Sequence, residues 1–212
     1  MRVLLLGSTY LTAKTAEFLL DQPDITVVGY CANTRRNYFP GRMPVAEVVE
    51  DEVEYDIKLS IQYDKIIKNV TKAYNIHTGF LPSYGGVDTI YHAYKNDETY
   101  QGITFHRMTN VLDGGQILSR ISFPLKKNTI AENYMRLATV IPSFVYTSLR
   151  LLQTIRTDEE VTIPTITPRI YKSGQIDAND QDFYRESGDK IIDLIKQLEG
   201  VDYFDSGKIV SR

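Results

Sequence analysis

The stretch RVLLLGS at residues 2–8 is a continuous apolar run stopped by glycine, the pattern of a strand buried on both faces. TAKTAEFLLDQ follows with Ala13, Ala16, Leu19 and Leu20 at helical spacing, and Thr12 is placed to cap it. ITVVGYC is then a second buried strand. Strand, glycine turn, helix and strand make a βαβ unit, which requires a parallel sheet with a right-handed crossover. The fold class expected is α/β, a mostly parallel twisted sheet with helices on both faces. Ligands of such sheets gather beyond the C-terminal ends of the strands.

The rest of the chain extends this plan. Residues 33–44, NTRRNYFPGRMP, read as a loop, VAEVVEDEV (45–53) as a short helix and YDIKLSI (55–61) as a strand. YDKIIKNVTKAY leads into a strand ending at Asn75, and VDTIYHAYKND has helical spacing. QGITFHRM alternates, with Ile103 and Phe105 opposed to Thr104 and His106, and GGQILSRISFPL alternates through Ile117 and Ile121. A long helix is expected over 130–155. From Thr165 the character changes to GQID, a helix in SGDKIIDLIKQLEG and a final short strand GKIV. The division expected is a catalytic domain over 1–164 and a small C-terminal extension over 165–212.

Composition narrows the function classes. With 212 residues and a formal net charge of −3, the chain lacks the basic excess of a non-specific nucleic-acid binder. Its one cysteine, Cys31, closes an apolar run and reads as a buried thiol; a disulfide framework and a multi-cysteine zinc site are excluded. The start MRVLLLGSTY is too short for a membrane span and lacks a signal-peptide cleavage pattern, so a soluble, cytoplasmic protein is expected. His77, His92 and His106 lack the spacing and carboxylate partners of a compact metal site, and no metal is expected. His92 reads as helix packing, and His106 as a structurally satisfied residue or a lining of the site's outer shell.

Two motifs stand out. Gly7, Ser8 and Thr9 join a strand to a helix, where backbone N–H groups can hold an anion; an unliganded tight turn accounts for them as well. They lack the glycine spacing of a dinucleotide site. In YNIHTGFLPSYGG (74–86), Asn75 and His77 project to the same side of a strand, just where turn residues begin. They are either a polar sheet edge or two working groups facing one pocket. Asp113, between Leu112 and Gly114-Gly115, reads either as a hairpin turn or as part of a loop that grips a ligand.

Taken in order, NIHTGFLPSYGG, GITFH and NVLDGGQIL resemble the folate-dependent formyltransferase family, with looser support from VLLLGST and YDIKLSIQYDKII. The resemblance covers roughly residues 1–155 and implies a Rossmann-like formyltransferase fold. It departs from the family's Asn-x-His-Pro-Ser at Thr78-Gly79, which bears on the amine side of the site. It implies Asn75, His77 and Asp113 as catalytic residues and 10-formyltetrahydrofolate as formyl donor. The Asn75 amide and a protonated His77 would face the oxyanion, and Asp113 would take the amine's proton. The folate would lie against Tyr63, Lys65, Ile66 and Ile67 and against Thr109, Asn110, Leu112 and Asp113. The amine side would be Gly7, Ser8, Thr9, Thr78, Gly79 and Tyr84.

The tail from Arg169 resembles that of sugar and methionyl-tRNA formyltransferases more than that of the purine enzyme. The tRNA enzyme's larger basic barrel is not expected in a chain that ends at Arg212 and is not basic. A nucleotide-linked amino sugar is the acceptor expected first, and glycinamide ribonucleotide second. A catalytically silent folate- or nucleotide-binding relative would be a third kind of protein, which the intact set of three residues opposes. No nucleic-acid or membrane partner is expected, and the resemblance leaves room for a homodimer.

Overall fold

The structure, a computed structural model, describes residues 1–34, 42–125, 129–154, 167–172 and 175–199. The expected GKIV strand, the 164/165 boundary and most of the 33–44 loop lie outside those residues. Eight strands are described: β1 (Arg2–Leu6), β2 (Thr26–Cys31), β3 (Ile57–Ile61), β4 (Ala73–His77), β5 (Gly85–Gly86), β6 (Tyr100–Arg107), β7 (Ile117–Pro124) and β8 (Ile170–Tyr171). Four helices join them: α1 (Tyr10–Leu20), α2 (Thr89–Lys95), α3 (Ile130–Thr154) and α4 (Gln181–Glu199). Six strands form one sheet in the order β2-β1-β3-β4-β6-β7, parallel through β4 and antiparallel at β6 and β7. The expected mostly parallel sheet with helices is the architecture found.

One sheet face supplies Leu5, Leu59, Ile61, Ile76 and Phe105 to a core shared with α1, α2, α3 and α4. Each such side chain contributes about 1.5–3 kcal/mol by leaving water. The opposite face places Leu4, Leu6 and Cys31 under Val48, Val53, Tyr55, Tyr63 and Ile67. That cover is an irregular segment with one 3-10 turn, Glu50–Glu52, where the sequence predicts a helix over 45–53. Two demands override the helical spacing. The exposed edge of β2 pairs with the segment, through Tyr30 N to Ala46 O at 3.0 Å and Val48 N to Tyr30 O at 2.9 Å. Glu50 also turns inward, its Oε1 lying 2.6 Å from Nζ of the fully buried Lys58. The cap of α1 shifts as well: Thr9 is the N-cap, and Thr12 completes the capping box.

Register sets out the rows of the second face. Leu6, Ser60 and Asn75 lie level on β1, β3 and β4, and His106 faces Asn75 from β6. Gly7 therefore begins two strands, about 10 Å, from Asn75. Asp113 comes from the β6–β7 connection, which folds back over this face. Its backbone is left-handed, with φ of 51°, a conformation that costs a non-glycine residue about 1–3 kcal/mol and clusters at working sites.

Candidate active site

Asn75 and His77 stand on one face of β4 because alternate residues of a strand share a side. His77 and Asp113 are buried and Asn75 is half-buried. His77 Nε2 donates to the Tyr84 carbonyl at 2.6 Å, and its Nδ1 lies 3.6 Å from Asp113 Oδ2. The Gly86 N–H donates to the same Oδ2 at 2.7 Å. His106 Nδ1 donates to the Arg107 carbonyl at 3.0 Å, and its Nε2 lies 3.1 Å from Asn75 Nδ2. The same Nε2 is 3.5 Å from Asp113 Oδ1, so His106 sits between the amide and the carboxylate.

These contacts assign the charges. Burial pushes the His77 imidazole below its ordinary value, against the pull of Asp113 and the Tyr84 carbonyl. Burial alone would raise the Asp113 carboxyl, but the His106 contact, the charge that His77 carries once protonated and the Gly86 N–H together hold it below the usual carboxylate range. Burial thus favours a neutral imidazole beside the carboxylate, where the resemblance implies an imidazolium. The Nδ1 lone pair and a carboxylate lone pair then face each other at 3.6 Å with no proton to share. One arriving proton would convert that opposition into a hydrogen bond. The cluster is built to accept a proton, and Asn75, whose amide has a second N–H beyond the one given to His106, is built to donate.

The remaining expected residues divide. Tyr63 and Ile67 pack on Leu4 and Leu6, and Lys65 lies over the Tyr63 ring at 5.7 Å. Ile66 is 95% exposed, and in the β6–β7 connection Val111 is 50% and Leu112 62% exposed. Apolar side chains left in water on both segments suit a flat aromatic ligand. Thr109 braces that connection, its hydroxyl meeting the Val111 N–H at 3.2 Å, while Asn110 is exposed. Gly115 ends it against β6, where a Cβ would stand 1.7 Å from the Arg107 carbonyl oxygen.

The amine-side expectations fare differently. Gly7 N donates to the Cys31 carbonyl at 3.0 Å, Ser8 N to Asn33 Oδ1 at 2.8 Å and Thr9 N to Thr12 Oγ1 at 3.3 Å. Those donors are committed within the protein, which favours the tight turn over the anion site. Tyr84 is buried, with its hydroxyl given to Glu98 at 2.7 Å; its carbonyl, not its ring, serves the site. The Thr78 carbonyl accepts from the Thr89 hydroxyl, and the Gly79 carbonyl accepts from Thr104 Oγ1 at 2.7 Å. Thr78 keeps a half-buried side chain beside His77. Sequence reasoning did not reach the main-chain roles of Tyr84 and Gly86. The only signal was the dense glycine of SYGG, which marks backbone at work without saying for what. Among the described residues, no group of three His, Cys, Asp or Glu is placed to hold a metal ion, and no helix is long and apolar enough to cross a membrane.

Residues 59–144 match the family described as formyl transferase. The bifunctional polymyxin resistance protein ArnA of Wigglesworthia glossinidia brevipalpis is 35% identical over 89 residues, which is 39% of this chain and 14% of that protein. The methionyl-tRNA formyltransferase of Natranaerobius thermophilus is 31% identical over 83 residues, 39% of this chain and 26% of that enzyme. The chain thus spans a minor part of the length of these relatives. Among solved structures, the sugar 3N-formyl transferase WlaRD, determined with dTDP and 5-N-formyl-THF, superposes with a TM-score of 0.65 at 22% identity, covering 84% of this chain and 71% of that one. The Helicobacter canadensis N-formyltransferase, in complex with folinic acid and dTDP-3-aminofucose, gives 0.63 at 20% identity over 82% and 72%. The phosphoribosylglycinamide formyltransferase of Anaplasma phagocytophilum gives 0.60 at 20% identity over 72% and 86%. At such identities the structures establish a shared fold.

Proposed function

We propose, from the premise that the chain belongs to the folate-dependent formyltransferase family, that it carries a formyl group from 10-formyltetrahydrofolate to the primary amine of a nucleotide-linked amino sugar. The observation that carries the reaction is the meeting of Asn75, His77 and Asp113 on one sheet face, with an ionised carboxylate beside a neutral imidazole.

The amine lone pair forms a bond to the formyl carbon, and the carbonyl electrons move to oxygen. The free N–H of Asn75 meets that oxyanion; one such donor contributes about 3 kcal/mol to the transition state. The proton leaving the attacking nitrogen passes to the Asp113–His77 pair, directly or through water. The carbonyl then re-forms, the bond from carbon to the folate nitrogen breaks, and that nitrogen takes a proton back from the pair. Atoms and charge balance without a metal or a covalent enzyme intermediate. The folate side is Tyr63, Lys65, Ile66 and Ile67 with Thr109, Asn110 and Leu112, supported by the apolar side chains exposed on both segments.

The sugar acceptor is supported by fold neighbours determined with dTDP or a dTDP-amino sugar, and by the tail's resemblance to the sugar enzymes. A purine-pathway acceptor is the second reading, favoured by the wording LDGGQIL and by the Anaplasma neighbour. The test is turnover of 10-formyltetrahydrofolate by the full chain with dTDP-3-aminofucose, a UDP-linked 4-amino-4,6-dideoxy sugar or glycinamide ribonucleotide. Formylation of a sugar nucleotide at a kcat/KM at least tenfold above glycinamide ribonucleotide is the expected result. The reverse ranking would replace the acceptor, and no formylation of any amine would remove the reaction.

A further inference from the structure

The two groups that flank the proton are held by one short stretch of main chain. The Tyr84 carbonyl takes His77 Nε2–H, and two residues later the Gly86 N–H holds Asp113 Oδ2. The distance between imidazole and carboxylate therefore depends on where residues 84–86 lie. That stretch is not part of the six-stranded sheet; its β-partner is β8, from far along the chain. Gly85 N donates to the Arg169 carbonyl at 2.9 Å, Val87 N to the Tyr171 carbonyl at 3.0 Å, and Arg169 N to the Pro82 carbonyl at 2.9 Å. At Gly86 the approach is so close that a Cβ would stand 2.0 Å from the Tyr171 carbonyl oxygen, and φ is 85°.

One side chain pins β8 in place. The buried Tyr171 ring stacks on His92 at 3.9 Å and on Tyr84 at 5.7 Å, with the Arg169 guanidinium 4.9 Å from its centroid. Its hydroxyl accepts from Asn96 Nδ2 at 3.0 Å, and the same amide reaches the Tyr84 hydroxyl at 3.1 Å. The side-chain partners in this stack are His92, Tyr84, Arg169 and Asn96, and not Asn75, His77 or Asp113. We infer that Tyr171 is a positioning residue: through β8 and residues 84–86 it sets the separation of His77 and Asp113, so that the C-terminal segment is a working part of the active site. The inference rests on the formyl-transfer reading for its kinetic consequence alone; the geometry it asserts can be read without turnover.

The experiment compares Tyr171→Leu, Tyr171→Phe and the wild-type full chain. Loss of the stack should let residues 84–86 drift, and a misplacement of about 1 Å costs roughly a hundredfold. Tyr171→Leu should lower kcat with dTDP-3-aminofucose roughly tenfold to a hundredfold, with both KM values within about threefold. Tyr171→Phe, which keeps the ring, should recover most of that loss. The acid limb of kcat/KM should move to higher pH in Tyr171→Leu, because the Gly86 N–H that helps hold the Asp113 proton affinity down is withdrawn. Nitrogen-15 NMR of labelled histidine, with no substrate present, should report the Nε2–H form of His77 in the wild type and an altered signal in Tyr171→Leu. An unaltered His77 signal, or an unaltered kcat in a folded Tyr171→Leu protein, overturns the inference. If that variant does not fold, His92→Ala takes its place, since it removes the ring on which Tyr171 stacks at 3.9 Å; a wild-type His77 signal there overturns the inference as well. Failure of the wild type to formylate any amine counts against the reaction, and the NMR comparison then decides the positioning by itself.

Discussion

Asp113 shows how a single residue can carry opposing demands. It is buried, which works against its charge, and its backbone is left-handed, yet His106 and the Gly86 N–H help keep it ionised. Asp113→Asn keeps the shape and removes the proton acceptor, so kcat should fall roughly a hundredfold to ten-thousandfold. A loss below tenfold in steady-state turnover would take Asp113 out of the proton path. Acid sensitivity follows from the same cluster. The folded-state value of His77 lies below its unfolded value, so the unfolded chain binds the extra proton first. Stability from this group is full above about 6.5 and falls as pH drops below it. Asp113, also lowered, adds a second loss that begins only near 3.8. Melting temperature should therefore fall between pH 7 and pH 5.5, and His77→Gln, whose amide can still reach the Tyr84 carbonyl, should flatten that slope. His92, also lowered by burial, should retain the rest of the slope. An unchanged slope in His77→Gln would mean that His77 is not the neutral buried ring described.

The elements were legible in the sequence wherever local pattern and burial agree. Continuous apolar runs gave β1 and β2, alternation gave β6, helical spacing gave α1 and α2, and apolar residues around most of the girth gave α3. The pattern misled at 45–53, where Val45, Val48, Val49 and Val53 fall at helical intervals, but Val48 and Val53 pack on the second sheet face, Val48 also against Gly29, while Val45 packs on the first core and Val49 is exposed. What decided it was pairing with the edge of β2 and the fully buried Lys58, neither of which helical spacing records. Glu50→Ala would leave that ammonium with the Asn69 carbonyl at 2.5 Å and the Tyr55 ring at 5.9 Å. It should destabilise the protein by about 2–3 kcal/mol, below the full cost of a broken buried pair because Glu50 keeps 33% of its side chain in solvent. Lys58→Met, which keeps the stem and removes the charge, should cost less. Urea denaturation of the two variants checks the order, and a larger loss for Lys58→Met would show that the ammonium's other contacts, not its pairing with Glu50, matter. The candidate site was legible as three side chains; its supports were not, because β5 and β8 are two residues each and their bonds involve main chain alone.

Across the whole molecule, stability and ligand capture draw on different surfaces. Ile66 and Leu112 bury little in the free protein, so Ile66→Ser and Leu112→Ser should leave the melting temperature nearly unchanged. If folate covers them, each loses up to about 1.5–3 kcal/mol of apolar burial, and affinity for a folate analogue should weaken roughly tenfold to a hundredfold. Calorimetric titration that finds unchanged affinity in both variants would move the folate elsewhere. The position of the reacting groups in the sheet has a further consequence, which concerns time. Asn75 belongs to the parallel half, whose neighbours must be fetched across long crossovers, whereas His106 and Asp113 belong to the antiparallel β6–β7 hairpin, whose contacts are local. Local pairings close quickly and distant ones slowly. During refolding the hairpin can form with its histidine and aspartate in place while the strand bearing Asn75 and His77 is still unpaired. Competence to transfer a formyl group should then lag the recovery of far-ultraviolet circular dichroism, and turnover regained within the first kinetic phase would contradict that order. A chain part-way to its native state would have its hairpin and no reaction, because the seam between the two halves of the sheet is the last place to close and the place where the chemistry is assembled.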